Sequence, residues 1–249
     1  QASRGNPFDA TLSVEENVEK IKVEVSELHE IDHMRFKELR GNLPAVHAGF
    51  RAFVEVGFRQ PRLLHYMKYK SNLDCVGFDV VKANVLVAKE LGFDAHVHNM
   101  ADENTPLPSF PPKSIIVCYH MLEHIPDPRV GLKKIYDAMV DKTSVFHVEI
   151  PCESAPKTLA NPNLDAGHLY NFAPGELVEM AREVGFTVHY SKYGYSMEIG
   201  YFDALVLSKM DSGEANVEGT VVSNTITSTT TTYNMALDRD LTRYGKLNA

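Results

Sequence analysis

Among the residues whose side chains can move a proton near neutral pH, four stand out: His120, His124, Glu149 and His168. An unperturbed imidazole titrates close to neutrality, and a carboxylate beside one can hold or relay its proton. Each also has a plain alternative role. His124 could simply hydrogen-bond a helix start, and Glu149 could be a satisfied acid at a strand end. His168 lies in a loop rich in Pro, Asn and Asp, where binding and catalytic residues concentrate. A second set of residues is better suited to holding a ligand. Glu55 stands two residues before Gly57, and Asp79 follows 24 residues after Glu55. A glycine behind a strand lets a ligand approach the backbone, and a carboxylate at the end of the next strand suits the two hydroxyls of a ribose. Dinucleotide sites need G-x-G-x-x-G to cradle a pyrophosphate. Here Arg59 stands at the second glycine position and no third glycine follows, so a ligand without phosphates fits better.

These residues need a scaffold, and the apolar pattern supplies one. Short apolar runs at 52–57, 75–79, 96–98, 114–119 and 144–150 read as strands, and 61–69, 81–91 and 129–140 between them as helices. This alternation is the signature of βαβ units around a parallel sheet. The ligand-holding and proton-moving residues then fall at the carboxyl edge of the sheet, where open α/β sheets bind ligands. A helix is expected from Pro174, at its first position, to Val184, with Gly185 beyond it. Strands at 186–190 and 201–209 follow, joined too closely for a crossover helix, so they must pair antiparallel. Upstream, 13–40 reads as a helix opened by a Ser13–Glu16 capping box. Its stripe Val14, Val18, Ile21, Val25, Leu28 fails at Asp32 and Arg35, which excludes a long coiled coil. Such a helix packs on its own domain, forms a dimer seam, or covers the site. Residues 1–47 thus read as a helical extension, 48–210 as the catalytic domain and 211–249 as a tail. The tail holds six threonines between Ser223 and Thr232 and is a second candidate dimer contact.

The most specific stretch is Val117-Cys-Tyr-His120-Met-Leu-Glu123-His124-Ile-Pro126-Asp127-Pro128. It resembles the segment after strand four of class I S-adenosylmethionine-dependent methyltransferases. Gly167-His168-Leu-Tyr-Asn-Phe172 and Glu183-Val-Gly185-Phe186 resemble later motifs of the same family in the same order. The resemblance covers roughly residues 50–209. It implies a Rossmann-like α/β fold with a seven-stranded, mostly parallel sheet whose last strand is antiparallel. It also implies S-adenosylmethionine as cofactor. Glu55 and Gly57 correspond to the first motif, Asp79 to the ribose-binding acid and Asp102 to the acid at the adenine amino group. His120 and Met121 join the cofactor set. The chain departs from the family at Gly57-Phe-Arg59-Gln-Pro61, where the family has Gly-x-Gly-x-Gly. Arg59 is expected to meet the methionine carboxylate, since a guanidinium suits a carboxylate bidentately.

Bulk composition narrows the acceptor. The net charge of −8 disfavours long nucleic acids, and Arg59, Arg62, Lys68 and Lys70 read as a solvated helix face. No run of 18 apolar residues or secretory leader is visible, so no membrane partner is expected. Cys75, Cys118 and Cys152 contain no CxxC pair and fit a reducing, cytoplasmic compartment. No metal is expected; Glu149, Asp165 and His168 fit no familiar ligand spacing. The leading expectation is O-methylation of a hydroxyl on a small molecule or glycan, catalysed by His168, His124 and Glu149. The alternative is an inactive binding protein on the same fold.

Overall fold

In a computed structural model the described residues are 11–13, 15–19, 30–41, 49–152, 167–196 and 200–209. Helix α1 spans Glu30–Gly41 and strand β1 Ala52–Val56. Then come α2 Arg62–Ser71, β2 Asp74–Asp79, α3 Lys82–Glu90, β3 Asp94–Val97 and β4 Ser114–Tyr119. A single 3-10 turn Leu122–His124 leads to α4 Pro128–Ala138 and β5 Val145–Pro151. The chain closes with α5 Glu176–Val184, β6 Phe186–Ser196 and β7 Gly200–Lys209. The seven strands lie in the order β3-β2-β1-β4-β5-β7-β6. The first five are parallel to one another, while β7 runs antiparallel between β5 and β6.

Side-chain alternation along each strand builds two cores. Phe53, Ile115, Val117, Val145 and Val206 point to one face, packed with Phe36 and Leu39 of α1, Leu64 and Met67 of α2 and Val85 of α3. Val54, Ile116, Cys118, Phe146, Val148 and Leu205 point to the other, packed with Leu132 and Ile135 of α4 and Leu177 and Met180 of α5. Helices therefore cover both faces, which is why the central strands are apolar on both sides.

Local signals explain most element ends. Ser13 and Glu16 form the reciprocal capping box, at 2.8 and 3.1 Å, ahead of helical residues 15–19. Asp127 caps α4 by accepting from the Arg129 backbone at 3.0 Å, with Pro128 at the first position. Gly185 ends α5 at φ +110. The start of α5 departs from the expectation. Gly175 sits at φ +81 and is the N-cap, so Pro174 precedes the helix instead of opening it. The Gly175 N–H donates to Asp203 on β7 at 2.6 Å, and that anchor sets the helix start. The last two strands are longer than their apolar runs, because they extend as a paired hairpin to Ser196 and Gly200. Residues Val14, Ile21, Val25 and Leu28 of the N-terminal stripe lie outside the described residues, as does the threonine-rich tail.

Candidate active site

The carboxyl ends of β1 and β2 carry the first constellation. Gly57 has φ +78, and its N–H donates to the Phe78 carbonyl at 2.7 Å. A Cβ there would stand 2.6 Å from Cγ of Met121, so the missing side chain lets the segment after β4 close onto the loop. Arg59 has φ +44, the left-handed conformation that the family's second glycine would adopt freely. Its backbone N–H donates to Asp79 at 2.8 Å. Asp79 also accepts from the Val81 backbone at 2.7 Å and from Asn84 at 3.3 Å. Val80, Val81 and Val97 are exposed apolar residues beside Asp79.

Glu55 is buried on β1, and burial together with Asp32 and Asp79 pushes its carboxyl well above the usual range. No hydrogen-bond donor among the described residues reaches its Oε2. Asp102 lies further along, on an exposed turn after β3. Hydrogen bonds from the Thr105 hydroxyl at 2.6 Å and the Asn104 backbone at 3.0 Å hold it below the ordinary carboxylate range. The Lys134 ammonium fixes this turn by donating to the Asn99 and Asp102 carbonyls, both at 2.8 Å.

The second constellation lies at the ends of β4 and β5. His120 has φ +52, and its N–H donates to the Glu149 carbonyl at 2.9 Å. Its Nε2 is 3.0 Å from Glu149 Oε1, and its Nδ1 is 3.6 Å from Glu123 Oε1. Glu149 also receives both Nε and Nη2 of Arg35, from helix α1. Burial alone would raise the Glu149 carboxyl, but Arg35 and His120 outweigh it and bring it down to about 2. Glu149 is thus ionised, and the His120 Nε2–H donates to it. Arg35 further contacts Asp32 at 3.1 Å and lies over the Tyr119 ring at 4.3 Å. Asp32 is 3.6 Å from Arg62 of α2. Arg62, expected on a solvated face, instead turns inward to α1.

His124 and His168 come together. Their rings are 5.2 Å apart, edge to face. His124 Nδ1 is 2.9 Å from the Gly167 carbonyl, and the Leu169 and Tyr170 N–H groups both donate to the Glu123 carbonyl, at 2.7 and 3.0 Å. Glu123 itself is almost completely buried, and that burial pushes its carboxyl up to about 8. Asp165 lies outside the described residues. Sequence reasoning missed Arg35 and Asp32 as site residues. The signal was present, because both interrupt an apolar stripe on an otherwise core-facing helix. Glu123 was also missed as a separate participant, although it sits inside the most specific motif.

The methyltransferase domain family matches residues 31–191. The chain belongs to that family: it is a class I S-adenosylmethionine-dependent methyltransferase, and S-adenosylmethionine is its cofactor. Its fold is similar to that of a SAM-dependent methyltransferase from Archaeoglobus fulgidus, at 16% identity and TM-score 0.54, over 75% of this chain and 96% of that one. It is also similar to the YcgJ protein of Bacillus, at 12% identity and TM-score 0.51, over 72% and 99%. The [4+2]-cyclase SpnF shares it at 11% identity and TM-score 0.56, over 72% and 80%. A cyclase among these shows that the fold does not choose the reaction; here the family match does. No curated protein matches the sequence. No helix among the described residues is long and apolar enough to cross a membrane.

The chain's residues fit the cofactor. The orphaned, buried Glu55 oxygen and the Asp79 carboxylate lie on the adjacent strands β1 and β2, beside a glycine whose Cβ would not fit. S-Adenosylmethionine brings an ammonium and two ribose hydroxyls, donors that suit such oxygens. An inactive binding role was the alternative that the altered glycine loop motivated, and the methyltransferase family match supports the enzyme.

Proposed function

We propose that the enzyme methylates a hydroxyl of a small molecule or glycan, with His120 as proton acceptor. The observation that carries this reading is the His120–Glu149–Arg35 chain at the carboxyl end of β4 and β5. A hydroxyl is a poor nucleophile until a base takes its proton, whereas a neutral amine needs none at the moment of attack. Bound S-adenosylmethionine supplies an electrophilic methyl group. Asp79 would hold the ribose hydroxyls through its Oδ2, which among the described residues accepts only from the Arg59 N–H and keeps a lone pair beyond that bond. Arg59 would hold the methionine carboxylate, and the turn at Asp102 the adenine edge, with Val80 and Val97 against its face.

His120 keeps its Nε2 proton on Glu149, which leaves the Nδ1 lone pair to accept the hydroxyl proton. The ionised Glu149 then stabilises the imidazolium that results. With its carboxyl at about 2, Glu149 is too weak a base to accept the proton itself. It acts as the group that holds His120, and Arg35 keeps it charged. His124 and His168 are partly exposed beside this centre and line the acceptor side. The three buried, free cysteines suit a reducing, cytoplasmic setting.

The test is to supply S-adenosylmethionine with a deuterated methyl group and a panel of phenols, sugars and amines, then locate the label by mass spectrometry. Label on hydroxyl oxygen is the expected result. Label only on nitrogen or carbon would overturn the reading. His120→Ala should lower turnover by about 10²-fold or more while donor affinity stays within a few-fold. An equal loss of donor affinity would assign His120 to the cofactor instead.

A further inference from the structure

Glu123, His124 and His168 are more closely gathered than a proton-transfer role requires. Each offers one ligand atom, and the three atoms all lie within 4.8 Å of one another. The chain holds them there by backbone bonds. Glu123 and His124 are adjacent on the 3-10 turn after β4, and the 167–170 segment is fastened to that turn by two N–H groups on the Glu123 carbonyl. Two further observations point to a ligand. Glu123 is 1% exposed, and no hydrogen-bond donor among the described residues reaches its Oε2. A buried carboxyl oxygen left this way costs free energy, which a cation that displaces the carboxyl proton would recover. In addition, the Gly167 carbonyl takes the Nδ1 proton of His124 at 2.9 Å. That fixes the tautomer and turns the Nε2 lone pair toward Glu123, 3.8 Å from Oε1. Metal-ligating histidines are characteristically oriented by such a second bond.

We propose that Glu123, His124 and His168 bind a divalent first-row transition cation. Two imidazoles and one carboxylate match the donor set of open zinc sites, which keep a further position for water or substrate. Imidazole donors disfavour magnesium and calcium, which take oxygen ligands. His124 has a side chain 42% exposed, so the open position faces the acceptor side. An acceptor hydroxyl bound there would lose its proton more readily, because a Lewis acid lowers the pKa of a coordinated oxygen. This catalytic part rests on the hydroxyl-acceptor reading; the binding site does not.

The test titrates the full chain with Zn²⁺ and Co²⁺, without donor or acceptor. The expected result is one zinc per chain in calorimetry and visible cobalt absorption bands. His168→Ala and His124→Ala should each weaken zinc at least tenfold and abolish the cobalt bands, with S-adenosylmethionine affinity unchanged. His96→Ala removes an exposed histidine that lies 2.9 Å from Asp94 and stacks on Phe78 at 5.5 Å, and should change neither readout. Zinc affinity that survives both site variants, or falls equally in His96→Ala, would show scattered surface binding and overturn the site. Full hydroxyl methylation by chelator-treated enzyme would overturn the catalytic part while leaving the acceptor reading intact. Zinc bound at the site without any hydroxyl product would overturn the acceptor reading, and the catalytic part with it, while leaving the binding site standing.

Discussion

Arg59 holds a backbone conformation that its side chain opposes. The left-handed region costs a residue with a Cβ about 1–2 kcal/mol, and the φ of +44 persists because the Arg59 N–H is tied to Asp79. Restoring glycine should relieve that strain. The greater freedom of glycine in the unfolded chain would take back about 0.4–1 kcal/mol. Arg59→Gly is therefore expected to raise stability by up to roughly 1 kcal/mol, measured by urea unfolding. Calorimetry on the same variant separates backbone from side chain. Donor affinity that holds assigns recognition to the loop path, and a fall of about tenfold assigns it to the guanidinium. The motif made Gly57, Asp79 and the departure at Arg59 legible in the sequence. It could not reveal that Asp79 already accepts two backbone N–H groups, because those bonds depend on where the loop folds back.

Helix α1 contributes a charge to a site assembled from strands far along the chain. Its buried positions Asp32, Arg35, Phe36 and Leu39 recur at helical spacing, so apolar and charged residues share one inward face. Removing Arg35 would leave Glu149 buried without its cation. Arg35→Ala should lose about 3–5 kcal/mol of stability. The Arg35→Ala, Glu149→Gln double variant should lose less than the sum of the two single changes. The pH dependence has a definite sign. A carboxyl depressed to about 2 in the fold contributes stability above its unfolded value, near 4.3, and loses it as pH falls toward 2. The stability gap between the native chain and Glu149→Gln should therefore narrow between pH 5 and pH 2 in urea titrations. A gap that stays constant would show that Glu149 is not held ionised. From sequence, the failure of the apolar stripe at Asp32 and Arg35 argued only against a coiled coil. The destination of Arg35, 114 residues away at Glu149, is a long-range pairing that periodicity within one helix does not encode. The same limit hid the meeting of His124 with His168.

At the scale of the whole molecule, one sheet separates two cores, and its central strands face both. Phe146 on β5 is fully buried and packs with Phe186 at 5.7 Å. Phe146→Ala should cost about 3–5 kcal/mol, lowering the melting temperature by roughly 6–20 °C at 2–4 °C per kcal/mol. A change of under 1 kcal/mol would mean that the two layers repack without it. The alternation of strand and helix was legible throughout, since buried parallel strands are apolar runs. The placement of β7 between β5 and β6 was not, because a short connection dictates antiparallel pairing of the last two strands but not which of them reaches β5. That placement matters during synthesis on the ribosome. The strand that joins β5 to β6 is the last of the seven to emerge, so until residues 200–209 are available β5 is a bare edge and β6 has no partner in the sheet. A message truncated anywhere before them would release a polypeptide with an open, apolar strand edge, ready to pair with its own copies.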